Sequence, residues 1–432
     1  MTRTAVEGMQ FGDEGKAKVI DYFLITRDYD AVARYHGGGN AGHTQVDRHG
    51  NEVITHIIPS GIRKKGVYNA ILSGVMVDPL EAVKEITELR EMGYKVNISN
   101  LGISERAQIT LQYHKDFERR QERKKGGKAV GTTMKGISPT AVSTHAREGL
   151  RFAEFVDPYY FEKFLESLPK SYKNFFERMT SILRKSGNVV ANGVNVRKYM
   201  EMYEYAMNFL RPFKIDEADF LERMKDKNLL YESAQGALLD VVLGTVPYVT
   251  ASETCNPPAD TDKIIGVSKA YITRVGGGNL PTRMELEEEK IIRGVRGETA
   301  GAEFGATTGR PRNCGWFDGI IAKFAAREGR VDNVFLTKLD RLSGFPEIKV
   351  ATAYRYKGDI IKSFPAERLV FEEVEPVYRG FPGWMDDIGD AREPGDLPQN
   401  TRNYVKRLED MMERKITHVS VGPKAEQTIE LI

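Results

Sequence analysis

Near its start the chain reads Gly8-Met-Gln-Phe-Gly-Asp-Glu-Gly-Lys-Ala-Lys18, which puts glycines, carboxylates and ammonium groups into one short loop. Such a loop suits phosphoryl chemistry. Gly12 and Gly15 let backbone N–H groups approach phosphate oxygens, and Lys16 supplies a charge for them. Asp13 offers a carboxylate for a metal or a proton. The match to a Walker-type loop is partial, because Gln10 stands where that pattern has Gly and Ala17 where it has Ser or Thr. The usual hydroxyl on Mg²⁺ is therefore missing, and Asp13 is the natural hard-oxygen replacement. A Gly-rich turn opening a helix, with Asp13 as its cap, is the bland alternative. A second run, Gly37-Gly-Gly-Asn-Ala-Gly-His-Thr44, presents His43, which is either a proton-transfer group or a packed structural histidine.

Far along the chain, Leu336-Thr-Lys-Leu-Asp340 follows a short apolar run, Asn333 to Thr337, of the buried-strand type. Lys338 and Asp340 should then emerge at a strand's C-terminal edge, where α/β sheets bind ligands. The pair suits guanine. Asp340 can accept from N1–H and the 2-amino group while the Lys338 stem packs on the purine face. Adenine offers no such donors and would leave the carboxylate unpaired. Together with the N-terminal loop, this makes GTP the expected nucleotide.

The elements that must position these groups alternate between strand-like and helix-like stretches, as a sheet with crossover helices requires. Val19 to Leu24 reads as the helix after the first loop. Asp78-Pro79 reads as an N-cap with Pro at the first helical position, opening a helix to about Met92 that Gly93 ends. Residues 159 to 230 carry a mainly helical pattern. Trp316 to Arg327 and 401 to 414 read as helices, the latter leading into a strand at Thr417 to Val421. The basic stretch Arg119 to Lys128 lacks interleaved aromatics and reads as a solvated helix end, not a nucleic-acid patch. No repeat or Ser/Pro linker interrupts the chain. The expectation is α/β: a single large P-loop-like domain over residues 1–432, with a central mainly parallel sheet, flanking helices and a helical insertion at about 159–230.

Bulk composition excludes several classes. The 432 residues are 41% hydrophobic and 29% charged, as in globular proteins. A net charge of +2 gives no global preference for nucleic acid, so any charge that holds anionic ligands must be local. Two cysteines, Cys255 and Cys314, support neither a disulfide framework nor a zinc knuckle, and a reducing cytoplasm is expected. No signal peptide or membrane span is evident.

Further short runs complete an ordered set: His56-Ile-Ile-Pro-Ser-Gly61, Gly131-Thr-Thr133, Ala234-Gln-Gly236, Pro247-Tyr-Val-Thr250, Gly305-Ala-Thr-Thr-Gly-Arg310, Pro382-Gly-Trp384 and Ser420-Val-Gly-Pro423. With the two loops above, this set resembles the adenylosuccinate synthetase family over nearly the whole chain. The resemblance implies a homodimeric ligase of purine biosynthesis that joins L-aspartate to IMP, driven by GTP with Mg²⁺. Asp13, His43 and Gln235 would then be catalytic, with Asp13 taking the N1 proton and His43 acting beside the transferring phosphoryl group. Mg²⁺ would sit on Asp13 and the Gly42 carbonyl. GTP would be held by Gly12, Gly15, Lys16, Lys18, Gly42, Thr44, Arg312, Lys338, Asp340, Ser420 and Gly422. IMP would meet Asp13, Asn40, Thr133, Gln235, Thr250, Val275 and Arg310, with Arg147 reaching across the dimer. Aspartate would meet Thr307, Thr308 and Arg310, because planar guanidinium suits carboxylates. Without the resemblance, Gln235 could equally be a turn residue, and Arg310 and Arg312 a solvated basic turn.

The chain also departs from the family pattern. Ala17, Met134-Lys-Gly-Ile-Ser-Pro139, Ser233, Pro311 and Asn313 all differ from the usual residues. Glu253-Thr-Cys-Asn-Pro-Pro258 replaces a segment beside the nucleotide site, and Leu280-Pro-Thr-Arg283 replaces one ending in Glu. These changes leave two acceptors open: IMP, or guanylate and its deoxy form. A GTP-binding module without turnover is the reading from another class, and it would be expected to lose Asp13, His43 or the aspartate loop.

Overall fold

The run Arg3–Gly8 forms a largely buried strand, β1, at the centre of a 10-stranded sheet. The computed structural model describes residues 1–432 except 47–48, 127–129, 168–189, 192–193, 300, 306–308 and 432. The other strands of this sheet are β2 (Ala31–Arg34), β3 (Tyr68–Ile71), β4 (Leu101–Ser104), β5 (Lys214–Ile215) and β6 (Leu229–Glu232). They continue with β7 (Lys263–Lys269), β8 (Asn333–Thr337), β9 (Lys415–Ser420) and β10 (Thr428–Glu430). Across the sheet the order is β5-β4-β3-β2-β6-β1-β7-β8-β9-β10. All neighbours run parallel except β9 and β10. Strands β1, β2, β6 and β8 are buried along almost their whole length, as a parallel sheet covered on both faces requires.

The order of strands locates the ligand end. From β1 the chain moves outward to β2, β3, β4 and the edge strand β5, then returns to β6 beside β1. It then leaves on the other side through β7 to β10. This reversal makes a topological switch point around β1, and ligands bind beyond the carboxyl ends of strands at such points. The loops after β1, β6 and β8 carry Asp13, Gln235 and Lys338.

Helix α1 (Lys16–Thr26) starts at the expected loop and extends past the expected Val19–Leu24. Its Val19, Ile20 and Phe23 pack with Val6, Val32, Leu230 and Phe335, each burial stabilising by about 1.5–3 kcal/mol. That packing anchors the loop in front of it. Helix α2 (Pro79–Glu91) has the expected cap: Asp78 accepts from the Leu80 and Glu81 N–H groups at 3.1 and 3.3 Å, and Gly93 follows at φ +88°. Arg119 to Lys125 of the basic stretch lie on α3 (Gln112–Lys125), where Arg119 pairs with Asp116 and Lys125 with Glu122, and residues 127–128 of it lie outside the described residues. Helix α4 (Ile137–His145) precedes Arg147.

The helix expected from Trp316 begins instead at Gly319, as α5 (Gly319–Glu328). Phe317 and Asp318 pair in parallel with Val350 and Ala351 in a second sheet, and Asp318 then caps α5. Tertiary pairing outweighs helical pattern there. Of the stretch 159–230, the described residues are helical over Pro158–Ser167, Val196–Leu210 and Glu217–Arg223, and β5 within it forms one edge of the main sheet. Among the described residues no helix is long and apolar enough to cross a membrane.

Candidate active site

The loop between β1 and α1 is folded around a carboxylate of its own. Glu14 is fully buried; one oxygen accepts from the N–H groups of Gln10 and Gly12 at 3.0 and 2.9 Å, and the other meets Lys16 Nζ at 2.7 Å. Lys16 also donates to the Gln235 carbonyl. Sequence reasoning passed over Glu14. The signal was an acidic side chain beside N–H groups that would otherwise be orphaned. Gln10, the departure from the Walker pattern, donates to the Tyr271 carbonyl at 2.9 Å and to that of Lys269 at 3.3 Å, which ties the loop to the end of β7. Gly12 and Gly15 hold φ of +80° and +94°, and Asp13 itself sits at +60°, a region short polar residues tolerate. A side chain at Gly236 would lie 2.4 Å from Glu14, so this loop and the one after β6 can nest only through glycine. Asp13 accepts from Arg312 Nε at 2.9 Å.

His43 opens a short strand (His43–Val46), with Gly42 before it and Thr44 after it both half-buried. Its Nδ1 is bound to a carboxylate oxygen of Glu232, the last residue of β6. Glu232 also accepts from the Ser60 N–H at 2.8 Å and from its hydroxyl. The His56–Gly61 element that carries Ser60 is fixed by Glu85 of α2, which accepts from the N–H groups of His56, Ile57 and Ile58 at 2.8, 2.9 and 3.0 Å. Burial pushes the imidazole pKa down against the pull of Glu232, and Arg34 and Lys16 push it further. Burial would raise Glu232, but His43, Ser60 and Arg34 outweigh it and hold its carboxyl below the ordinary range. The pair is therefore a neutral imidazole donating Nδ1–H to a carboxylate, which fixes the tautomer and leaves Nε2 for chemistry. Glu232 is the second buried carboxylate of the candidate site that local sequence did not reveal.

On the acceptor side, Gln235 sits at φ +57° and donates to Asn40 Oδ1 at 3.1 Å. Asn40 in turn donates to Thr250 Oγ1 at 3.5 Å, so three of the expected IMP contacts form one chain. Arg310 donates to the Gly131 carbonyl at 3.0 Å, two residues from half-buried Thr133. Val275 is half-buried at the end of the strand Ile272–Arg274. Arg274 went unnoticed in sequence. It donates to the Asn279 carbonyl at 2.6 Å and to Thr245 Oγ1 at 3.0 Å, and its guanidinium lies 4.3 Å from the Phe11 ring, so it joins three loops of the site. Thr307 and Thr308 lie outside the described residues. Arg147 is exposed at φ +65° just beyond α4, and its guanidinium makes no hydrogen bond or ion pair among the described residues of its own chain.

At the opposite end, Lys338 follows β8 at φ +58° and donates to the Gly301 carbonyl at 3.1 Å and to Glu303 at 2.7 Å. Asp340 lies in the 3₁₀ turn Leu339–Leu342, and burial raises its pKa against the opposing charges of Lys18 and Lys338. Lys18 of α1 donates to Ser420 Oγ, to the Gly422 carbonyl at 2.5 Å and to the Gln427 carbonyl at 3.0 Å. Burial lowers its pKa to about 7, with Asp340 opposing the fall. The expected GTP residues Lys18, Asp340, Ser420 and Gly422 thus converge from three segments on one corner.

Comparison with known proteins places this geometry. The family profile described as adenylosuccinate synthetase matches residues 5–429. The adenylosuccinate synthetase of Geotalea daltonii is 42% identical over 445 aligned residues, spanning 100% of this chain and 99% of the relative. That of Geobacter metallireducens is 41% identical over 443, again spanning 100% and 99%. The fully ligated adenylosuccinate synthetase structure from Plasmodium falciparum superposes with a TM-score of 0.87 at 28% identity, covering 99% of each chain. A cyanophage succinoaminodeoxyadenylate synthetase bound to dGMP and dATP shares the fold alone, with a TM-score of 0.59 at 18% identity over 99% and 95% of the chains. With its sheet, its switch-point loops and its residues matched end to end, the chain belongs to the adenylosuccinate synthetase family, the ligases that join aspartate to IMP.

Proposed function

We propose that the chain makes adenylosuccinate in two steps driven by GTP, through 6-phosphoryl-IMP. In the first step Asp13 takes the N1 proton of IMP, the electron pair moves onto O6, and O6 attacks the γ-phosphorus with release of GDP. His43 donates from Nε2 to the phosphoryl oxygens while Glu232 holds Nδ1. Burial keeps the ring neutral, whereas phosphate charge beside it favours the imidazolium form needed for that donation. In the second step the aspartate amine attacks C6, the C6–O bond breaks, phosphate leaves and the amine loses a proton. Gln235, Asn40, Thr133, Thr250 and Val275 line the IMP side, and Thr307, Thr308 and Arg310 hold the aspartate carboxylates. Asp340 and Lys338 select guanine, with Lys18, Ser420 and Gly422 shaping that corner.

Among the described residues no three His, Cys, Asp or Glu side chains converge as a metal cage. The chain offers Mg²⁺ isolated oxygens, the Asp13 carboxylate and the Gly42 carbonyl, which fits an ion that takes its other ligands from phosphates and water. When bound, Mg²⁺ supplies neutralisation of the polyphosphate charge. A homodimer completes the site, because Arg147 has no partner among the described residues of its own chain and carries the charge an IMP phosphate on the other subunit needs. Mixing Arg147→Leu with Asp13→Asn subunits should restore some activity, since one site of each mixed dimer escapes both lesions. No recovery despite proven subunit exchange would sink the shared site. A reducing cytoplasm suits Cys255 and Cys314, both free and buried.

The observation that carries this reading is the convergence of Asp13, the His43–Glu232 pair and the Gln235–Asn40–Thr250 chain around the switch point. The test is steady-state turnover with IMP, aspartate and GTP, using IMP labelled with ¹⁸O at C6. Label recovered in phosphate supports the phosphorylated intermediate, and label retained elsewhere removes it. Equal rates with guanylate or deoxyguanylate would overturn the acceptor assignment, and equal rates with ATP the donor assignment.

A further inference from the structure

Glu303 joins two parts of this site that have separate duties. It is fully buried, two residues before the Gly305–Arg310 loop. One of its oxygens accepts from Lys338 Nζ at 2.7 Å and from the Tyr271 hydroxyl, and the other accepts from Arg312 Nη1. Lys269 Nζ bridges the two oxygens at 3.1 and 3.0 Å. The backbone adds a further link, Arg312 N–H to the Glu303 carbonyl at 3.0 Å. Lys269 ends β7 and Tyr271 follows it, so Glu303 is anchored to the sheet and not only to the loop that carries it.

Arg312 stands between two carboxylates. Nη1 is on Glu303, while Nε is on Asp13 at 2.9 Å. Asp13 is the one the reaction needs elsewhere, for a proton and for the metal. Were Asp13 its only partner, each departure would strand a buried guanidinium, which is costly. We infer that Glu303 is a positioning residue for the ligation: it retains Arg312 and Lys338 beside the donor nucleotide when Asp13 lets go, and so makes Asp13 exchangeable. The inference rests on the proposed role of Asp13 as the reacting carboxylate. It also accounts for the excess of cations. Lys269, Lys338 and Arg312 share Glu303, so when Asp13 turns to the substrate the cluster keeps a net positive charge toward the polyphosphate.

The test is a double-mutant cycle of Glu303→Gln with Arg312→Gln, each variant checked for folding by its melting curve. In the unmutated background Glu303→Gln should lower kcat about 100-fold with KM for IMP changed by less than about threefold, because it leaves Arg312 gripping Asp13 alone. In the Arg312→Gln background the same change should cost about tenfold or less, because only the hold on Lys338 and Lys269 is then lost. An equal factor in both backgrounds overturns the inference and makes Glu303 a structural residue. If Glu303→Gln does not fold, the cycle is run with Glu303→Asp, which keeps the charge and withdraws it by one methylene, and the same criterion applies. If the unmutated chain forms no adenylosuccinate, the proposed reaction fails on its own. The cycle is then read in the calorimetric Kd of GTP, where unequal factors in the two backgrounds support the link and equal factors overturn it.

Discussion

Glu232 and Glu303 are both carboxylates without exposed surface, one bound to His43 and the other to Arg312. Glu232 meets a neutral imidazole and a serine; Glu303 meets two lysines, an arginine and a tyrosine. Burial alone raises a carboxyl pKa, and in each case the partners reverse that. Three cations hold Glu303 well below the ordinary range, while Glu232 is lowered chiefly by one ring and one hydroxyl. Glu7 supplies the contrast. It lies in β1, buried, with the Tyr35 hydroxyl at 2.9 Å as its hydrogen-bond partner, and burial pushes its pKa up to about 8. Close hydrogen-bond and ionic partners, not depth, decide whether a buried carboxyl stays charged. On the proposed reading, a histidine partner makes Glu232 a guide for proton donation, and a set of cations makes Glu303 an anchor for charge.

That contrast can be broken at several points. The largest effect is expected at Asp13, the carboxylate that must move between partners. Asp13→Asn should lower turnover by about two to four orders of magnitude while calorimetric GTP binding stays nearly unchanged. Near-normal turnover would remove Asp13 from the chemistry. Glu232→Gln should lower kcat by about 10- to 100-fold, because an amide fixes the ring less firmly and stabilises imidazolium less. Its GTP affinity should hold. Weakened GTP binding with unchanged kcat would instead remove Glu232 from the proton donation.

Asp340→Asn should weaken GTP by about 1–3 kcal/mol, since it turns one acceptor into a donor opposite guanine's own donors. ATP use should change little, and a parallel loss of ATP use would mean that the turn at Lys338–Asp340 is only structural. The smallest effect on turnover is expected at Glu7, whose readout is stability. Its folded pKa of about 8 exceeds its ordinary value of 4.5, so between those values the folded state binds more protons than the unfolded one. Its contribution to stability is present below that window and lost as pH rises through it, at up to about 1.4 kcal/mol per pH unit. Glu7→Gln should flatten this part of the profile in urea unfolding between roughly pH 5 and 8. An unchanged slope would show that Glu7 does not hold its proton.

Much of the candidate site was legible from the chain alone. Asp13 and Lys16 stand in a Gly-rich loop, Asp340 follows an apolar strand run, and the Asp78-Pro79 cap predicts the helix that the structure contains. These are local signals, carried by neighbours in sequence and by backbone demands such as the positive φ at Gly12 and Gly15. The start of α5 was misplaced because strand pairing of Phe317 and Asp318 is a distant contact. Glu14 could have been found, since its partners lie within four residues.

Glu232, Glu303 and Arg274 could not. Glu232 meets His43 across 189 positions, and Arg312 meets Asp13 across 299. The residue types, their spacing and the ordered motifs determine which chemistry this chain carries. Which carboxylate orients the imidazole and which one gathers the cations is decided only when parallel strands bring their carboxyl ends together. A buried charge takes its state from the partners that surround it in space, and no local run of sequence contains them.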